Sequence, residues 1–413
     1  MLKATNQLQG TTPNKDINHH TPLQRINMKP LQDIIILDLT HVWFGPYCTM
    51  MLAELGAQVI KIEPPWGTIG RLGPGELHHG TSTTYYALNL NKKDVAIDLK
   101  HPQVKDIIKQ LVKKSDVIAQ NFAPGTMERL GLDYNTLKKW NPQIIYAALS
   151  GFGQTGPYSK YGSYAAIAEA MSGHTYATGK QHDPDGPPIP MAGALGDLGP
   201  AMYAAFAIVA ALRHRDKTGQ GQMIDVAQTD TMVAFNCTAS VAYTLIGESP
   251  IERRRKRPQD PNRIWGIIPV KDGWIQVAGE RGKAIENLKQ ELGVEEVSEE
   301  LVSERVSGMT RMEAFKWLAE LGVPCAPVYE AYEAIWDPHL KARDMWVEVE
   351  HKAAGRYKVP NFPVKLSETP GEVTSAAPML GQHTREVLKE LLGKTDEELD
   401  ALEKQGAIAQ WKG

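Results

Sequence analysis

Cysteine is scarce in this chain: 413 residues carry three, Cys48, Cys237 and Cys325, far apart and without a C-x-x-C pair. That excludes a disulfide framework and a cysteine zinc site, and it fits a reducing, cytoplasmic compartment. No sign of charge prevails. Lys plus Arg number 45 against 48 Asp plus Glu, a net charge of −3, so no global field draws nucleic acid or anionic lipid. Long apolar runs are missing too. The longest clean one, 201–212, falls short of the roughly 20 residues that a membrane span needs. The start, 1–30, is polar and has no apolar signal core, so it reads as a mobile leader. What remains is ample: 42% hydrophobic and 23% charged residues can bury a large core, and the length allows two or three domains.

The apolar run 34–39, a turn over 40–46, helical spacing over 48–55 closed by Gly56, and the strand 58–63 make a βαβ unit and hence a parallel sheet. Further strands are predicted at 95–99, 117–120, 144–150 and 223–227, with helices at 103–114, 126–130, 134–141 and from Asp197 to about 215. The large domain is therefore α/β and Rossmann-like over 31–225. A connector, 226–262, carries the basic run 253–257. The small domain, 263–340, is α+β: strands flank an Asp272-Gly273 turn, and helices follow at 283–292 and 311–321. The segment 341–413 regains helical periodicity over 381–404.

Several familiar chemistries lack their context. The hexapeptide 151–156 (GFGQTG) matches GxGxxG but runs into Pro157, Tyr158 and Ser159 rather than a helix. Glu63 stands where an acidic ribose ligand would sit, yet the turn before that helix holds Trp43 and Phe44 and a single glycine, Gly45. A dinucleotide pyrophosphate finds no backbone to approach. No Gly-Lys-Ser/Thr ending supplies an ATP loop. His19-His20 and His78-His79 lack partners at metal-ligand spacing, so no metal is expected.

The order of motifs is more specific. DLTHVWFGP (38–46), LGAQVIKIEP (55–64), QNFAPG (120–125) with RLG (129–131), SGFGQTGP (150–157), GALGD (193–197), KTGQGQ (217–222), GVPCAPV (322–328) and LGQHT (380–384) follow one another along the chain. Together they resemble the family III coenzyme A transferases, the superfamily of formyl-CoA transferase, carnitine CoA-transferase and α-methylacyl-CoA racemase. The resemblance spans about 31–408. It implies an interlocked dimer, of one chain or of two homologous ones, in which the small domain is an insertion and the C-terminal segment returns to the large domain. Coenzyme A and its acyl esters enter as substrates, with no permanently bound cofactor.

The family nucleophile matches Asp197. From the residues alone Asp197 reads as a helix N-cap, where free N–H groups favour its ionised form, with Gly193, Gly196 and Gly199 leaving room for a thioester. The implied reaction exchanges thioester for thioester through an aspartyl anhydride and an aspartyl-CoA thioester. Positions matching CoA contacts are Val42, Phe44, Lys100, Asn121, Phe122 and Arg129; the substrate pocket falls to His41, Trp43, Tyr164 and Ala165. Two departures matter. Ala165 stands where racemases carry a catalytic aspartate, which weakens a racemase or epimerase reading. Trp43 and Phe44 replace smaller residues and suggest a bulky or aromatic acceptor, with succinyl-CoA as a compatible donor, although core packing of those rings competes. No glycine-rich shielding loop is evident, and a non-catalytic partner subunit is the alternative from another functional class.

Overall fold

The buried apolar runs of the first half assemble into one sheet. In the computed structural model, which describes residues 28–256, 263–279 and 282–413, the sheet strands are β1 (Ile35–Asp38), β2 (Gln58–Glu63), β3 (Lys92–Ile97), β4 (Val117–Gln120), β5 (Ile145–Ser150), β6 (Met223–Ala227) and β7 (Ile408–Ala409). Their order is β7-β3-β2-β1-β4-β5-β6. All neighbours are parallel except β7 against β3. The chain thus reverses its direction of growth between β2-β1 and β4, the switch point at which open α/β sheets place ligands beyond their carboxyl ends.

Four helices frame that edge: α1 (Phe44–Glu54), α2 (Ala165–Met171), α3 (Leu195–Thr218) and α4 (Gln228–Phe235). On one face of the sheet, Phe44, Cys48 and Leu52 of α1 share a core with Ala201, Ala204 and Ile208 of α3. The opposite face is covered by Val104–Lys114 and by Thr384–Leu392 and Asp396–Lys404. α3 is longer than the apolar run suggests: its 24 residues are long and apolar enough to cross a membrane by composition, but one side is buried in the protein's own core.

The small domain has its own core under an antiparallel sheet of Ile264–Val270, Gly273–Gly279 and Cys325–Pro327. Gly273, with φ of 144°, makes the predicted Asp-Gly turn. The stretch expected to be a connector is helical where it is described: α4, Cys237–Ile246 and Pro250–Lys256. The hairpin Trp346–His351 and Gly355–Pro360 packs Val349 and Val359 on Met50 and Leu90, returning the chain to the large domain. Most of the leader, with His19 and His20, and the end of the basic run lie outside the described residues.

Candidate active site

The turn after β1 is held from below by buried charge. Asp38 accepts hydrogen bonds from the Thr40 N–H at 2.9 Å and from Thr49 Oγ1 at 2.7 Å, and pairs with Lys92 at 2.9 Å with both side chains fully buried. Burial alone would raise the Asp38 carboxyl, but Lys92, Lys61 and hydrogen bonds from the Thr40 and Thr49 hydroxyls more than offset that and hold it well below the usual range. Lys61, also buried, donates to the Thr40 carbonyl at 2.7 Å. Gly45 is required here because a Cβ would fall 2.2 Å from Thr40 Cβ.

On this base the switch-point residues come together. The His41 N–H donates to Asn121 Oδ1 at 2.9 Å and Asn121 Nδ2 donates to the His41 carbonyl at 2.8 Å, stitching the ends of β1 and β4. The His41 ring lies 5.6 Å from that of Phe122. Burial, with Lys61 nearby, lowers the His41 pKa, which keeps the ring neutral at neutral pH. Val42 adopts φ of 68°, a left-handed conformation costly for a β-branched residue and typical of ligand turns. Trp43 is half-buried. Phe44 is not free to line a pocket. Its ring is 4% exposed and belongs to the core under α1, so the packing alternative holds for this ring.

Lys100 and Arg129 stand apart from that pair, both exposed. Lys100 follows β3, its N–H bound to Asp98 Oδ1 at 3.0 Å. The Arg129 guanidinium folds back within its own short helix, Thr126–Leu130, to Thr126 Oγ1 at 2.8 Å. A cleft of about 240 Å³ adjoins the start of that helix, lined by Gln120, Gly125, Met127, Tyr146 and Gln154 among others; Asp197 is not part of it.

A second cluster forms around Asp197. Tyr164 precedes α2 with 72% of its surface exposed, and Ala165 begins that helix directly against Gly196, where an added Cβ would lie 2.4 Å from the Ala165 carbonyl oxygen. Gly199 similarly abuts the Phe235 ring at 2.4 Å. These two glycines therefore serve helix packing rather than thioester access. Gly193 is different: it adopts φ of 80°, and an added Cβ there would meet nothing within 4 Å.

Asp197 is not the cap. Ala194 is, and Asp197 lies in the first helical turn, half-buried. One oxygen accepts from Gln228 Nε2 at 2.5 Å, and Ser163 Oγ donates to Gln228 Oε1 at 3.1 Å, which fixes the amide's orientation. The expectation of a carboxylate favoured in its ionised form is overturned. Burial pushes Asp197 up to about 6 and the neighbouring Glu169 adds to this, against the Gln228 hydrogen bond. The Gly196 N–H, one of the free donors at the start of α3, is taken by Glu169 Oε1 at 2.9 Å.

Sequence reasoning missed both Gln228 and Glu169. Gln228 follows β6 at the carboxyl edge of the sheet, a position that could have drawn attention; Glu169 is one polar residue inside a short helix, with no motif around it. The loop 151–156 joins the cluster structurally, its Gly151 carbonyl accepting from the Thr229 N–H and Oγ1, both at 3.1 Å. Glu63 is consumed by Arg71, 2.9 Å away, and by Tyr85 at 2.8 Å, so it is no ribose ligand. Among the described residues no group of three or more His, Cys, Asp or Glu could hold a metal ion.

Residues 31–384 match CoA-transferase family III. The chain belongs to that family. It is 32% identical to the formyl-CoA:oxalate CoA-transferase of Streptomyces coelicolor, over 92% of this chain and 99% of the relative. It is 33% identical to the succinyl-CoA–L-malate CoA-transferase beta subunit of Chloroflexus aurantiacus, over 92% and 98%. To the human succinyl-CoA:glutarate CoA-transferase it is also 33% identical, over 93% and 91%. A crystal structure of a CAIB/BAIF family protein from Brucella suis superposes with a TM-score of 0.76 at 29% identity, over 88% of this chain and 99% of that one. As a family III CoA-transferase, the protein is an enzyme that takes CoA thioesters as substrates.

Proposed function

We propose that this enzyme moves CoA from succinyl-CoA to an organic acid with an apolar body, through covalent intermediates on Asp197. The observation that carries the reading is the Asp197 carboxylate itself: half-buried, held by one neutral amide and more basic than an ordinary aspartate. An Asp197 oxygen attacks the thioester carbonyl, forming the anhydride C–O bond as the C–S bond breaks and the thiolate leaves with the electron pair. The thiolate then attacks the aspartyl carbonyl, releasing the donor acid and leaving an aspartyl-CoA thioester. The acceptor carboxylate repeats the exchange in reverse.

CoA lies, on this reading, along the switch-point turn, with Val42 and Asn121 presenting backbone and Lys100 and Arg129 meeting phosphate charge. Phe44 contributes through its backbone only. Trp43 and Tyr164 supply the apolar surface for the acceptor. With Ala165 in place of an acid, proton exchange at the α-carbon has no agent. The succinyl donor is the one named for the Chloroflexus and human relatives. The working assembly is a dimer of this chain, held in the cytoplasm. The test is intact-protein mass spectrometry after mixing with succinyl-CoA. The expected result is a CoA adduct on the peptide containing Asp197, removed by hydroxylamine and absent in Asp197→Ala. Undiminished exchange of labelled acid into acyl-CoA by Asp197→Ala overturns the reading.

A further inference from the structure

A fully buried acid inside a small-residue helix needs a reason, because an ionised carboxylate is costly to bury without partners. Glu169 is such an acid. It is 2% exposed, and it is the one charged residue of α2, whose sequence is AAIAEAM. Its Oε1 accepts the Gly196 N–H at 2.9 Å. That N–H belongs to the first turn of α3, one of the orphan donors that carry the positive end of the helix dipole. Asp197, the next residue, would otherwise be the natural anion for that end.

We propose that Glu169 is a positioning residue for the nucleophile: by occupying the positive end of α3 it denies Asp197 that stabilisation and leaves it readier to attack. Acylation removes the Asp197 charge, since the carboxylate becomes a neutral anhydride while the thiolate carries the electron pair away. A fixed negative neighbour favours that loss and disfavours the resting carboxylate.

Few groups compete for the role. Gln228 from α4 and Ser163 from the loop after β5 are neutral. Asp230, further along α4, meets Thr229 Oγ1 at 3.4 Å. On the helix following α2, His174 Nε2 meets the Met232 carbonyl at 3.1 Å. On the other flank of α3, α1 carries Tyr47, Cys48 and Glu54. Glu169 is the charged side chain bound to the first turn of α3, next to Asp197.

The inference rests on Asp197 being the nucleophile, and the experiment separates the two. Glu169→Gln keeps an acceptor oxygen for the Gly196 N–H and the side-chain volume but removes the charge. The expected result is an acid limb of kcat/KM for succinyl-CoA shifted to lower pH by roughly one unit. The plateau rate should fall about three- to ten-fold, as a weaker base makes a poorer nucleophile. Glu169→Asp, which keeps the charge, should leave the limb in place. A purely structural role would lower the melting temperature and leave the limb unmoved in Glu169→Gln; that result, or a shift upward, overturns the proposal. So does failure of both Glu169→Gln and Glu169→Asn to fold while Glu169→Asp folds. Wild-type enzyme that forms no Asp197 adduct sinks the nucleophile reading instead.

Discussion

Among the carboxylates that burial pushes above the usual range, Asp197 and Glu54 stand in different settings. Asp197 is half-buried and partnered by Gln228. Glu54 closes α1, 4% exposed, beside Lys29, Asn91 and Glu372. Burial pushes it up to about 7, with Lys92 pulling weakly the other way. Its proton affinity is thus higher in the folded chain than in the unfolded one, where it titrates near 4.5. The sign follows: the group costs the fold nothing below pH 4.5, destabilises it increasingly between 4.5 and 7, and exerts its full cost above 7. Glu54→Gln should therefore unfold at higher urea than wild type at pH 8, by about 1–3 kcal/mol, with the gap closing towards pH 4.5. An equal gap at both pH values would show that shape rather than charge is at issue.

The strands of the large domain were legible because a parallel sheet buried on both faces leaves continuous apolar runs; β2, β4 and β6 fall on their predicted limits. The start of α1 was not, since Phe44, Gly45 and Pro46 look like a turn until the Asp38-Thr40-Thr49 bonds and the fit of Gly45 on Thr40 pull them into the helix. The start of α3 was equally hidden. Its first-turn N–H is satisfied by Glu169, 27 residues earlier on another helix, and no local pattern announces a cap supplied from a distance. Asp197 is singled out by its motif, and its surroundings in the fold reverse the electrostatics that a local reading assigns. The contact between α2 and α3 depends on Gly196, where an added methyl would lie 2.4 Å from a backbone oxygen of Ala165 that has nowhere to move. Gly196→Ala should cost about 1–3 kcal/mol in stability. It should also displace Glu169 from its N–H, so activity falls more than the loss of folded protein explains. Calorimetry together with the rate per folded molecule checks this. Full activity per folded molecule would separate the packing from the chemistry.

At the scale of the whole chain, the path leaves the sheet at one edge, after β6, and re-enters it at the other, as β7. Between these points lie α4, two further helices, the small domain and the returning hairpin, so the excursion spans the full width of the sheet. The surface left uncovered is strongly apolar. Met202, Tyr203, Phe206 and Val209 on the outer side of α3 are 41–73% exposed, and Cys237–Ile246 buries none of its residues, with Leu245 at 78%. Monomeric proteins rarely leave so much apolar surface in water, and a second copy of the same chain, passing through the excursion, is the occupant that the interlocked dimer implied by the family resemblance requires. The expected mass in solution is twice the 45.6 kDa of the chain. Threading makes a sharper prediction than dimerisation alone. Two differently tagged homodimers, mixed under native conditions, should form no mixed dimer over days, because strands passed through closed loops separate only by unfolding. Unfolded together and refolded, they should yield mixed dimers at close to the statistical half. Exchange within hours in native buffer would mean that the two chains merely abut across α3, and a stable monomer of full activity would leave that apolar face to some other partner.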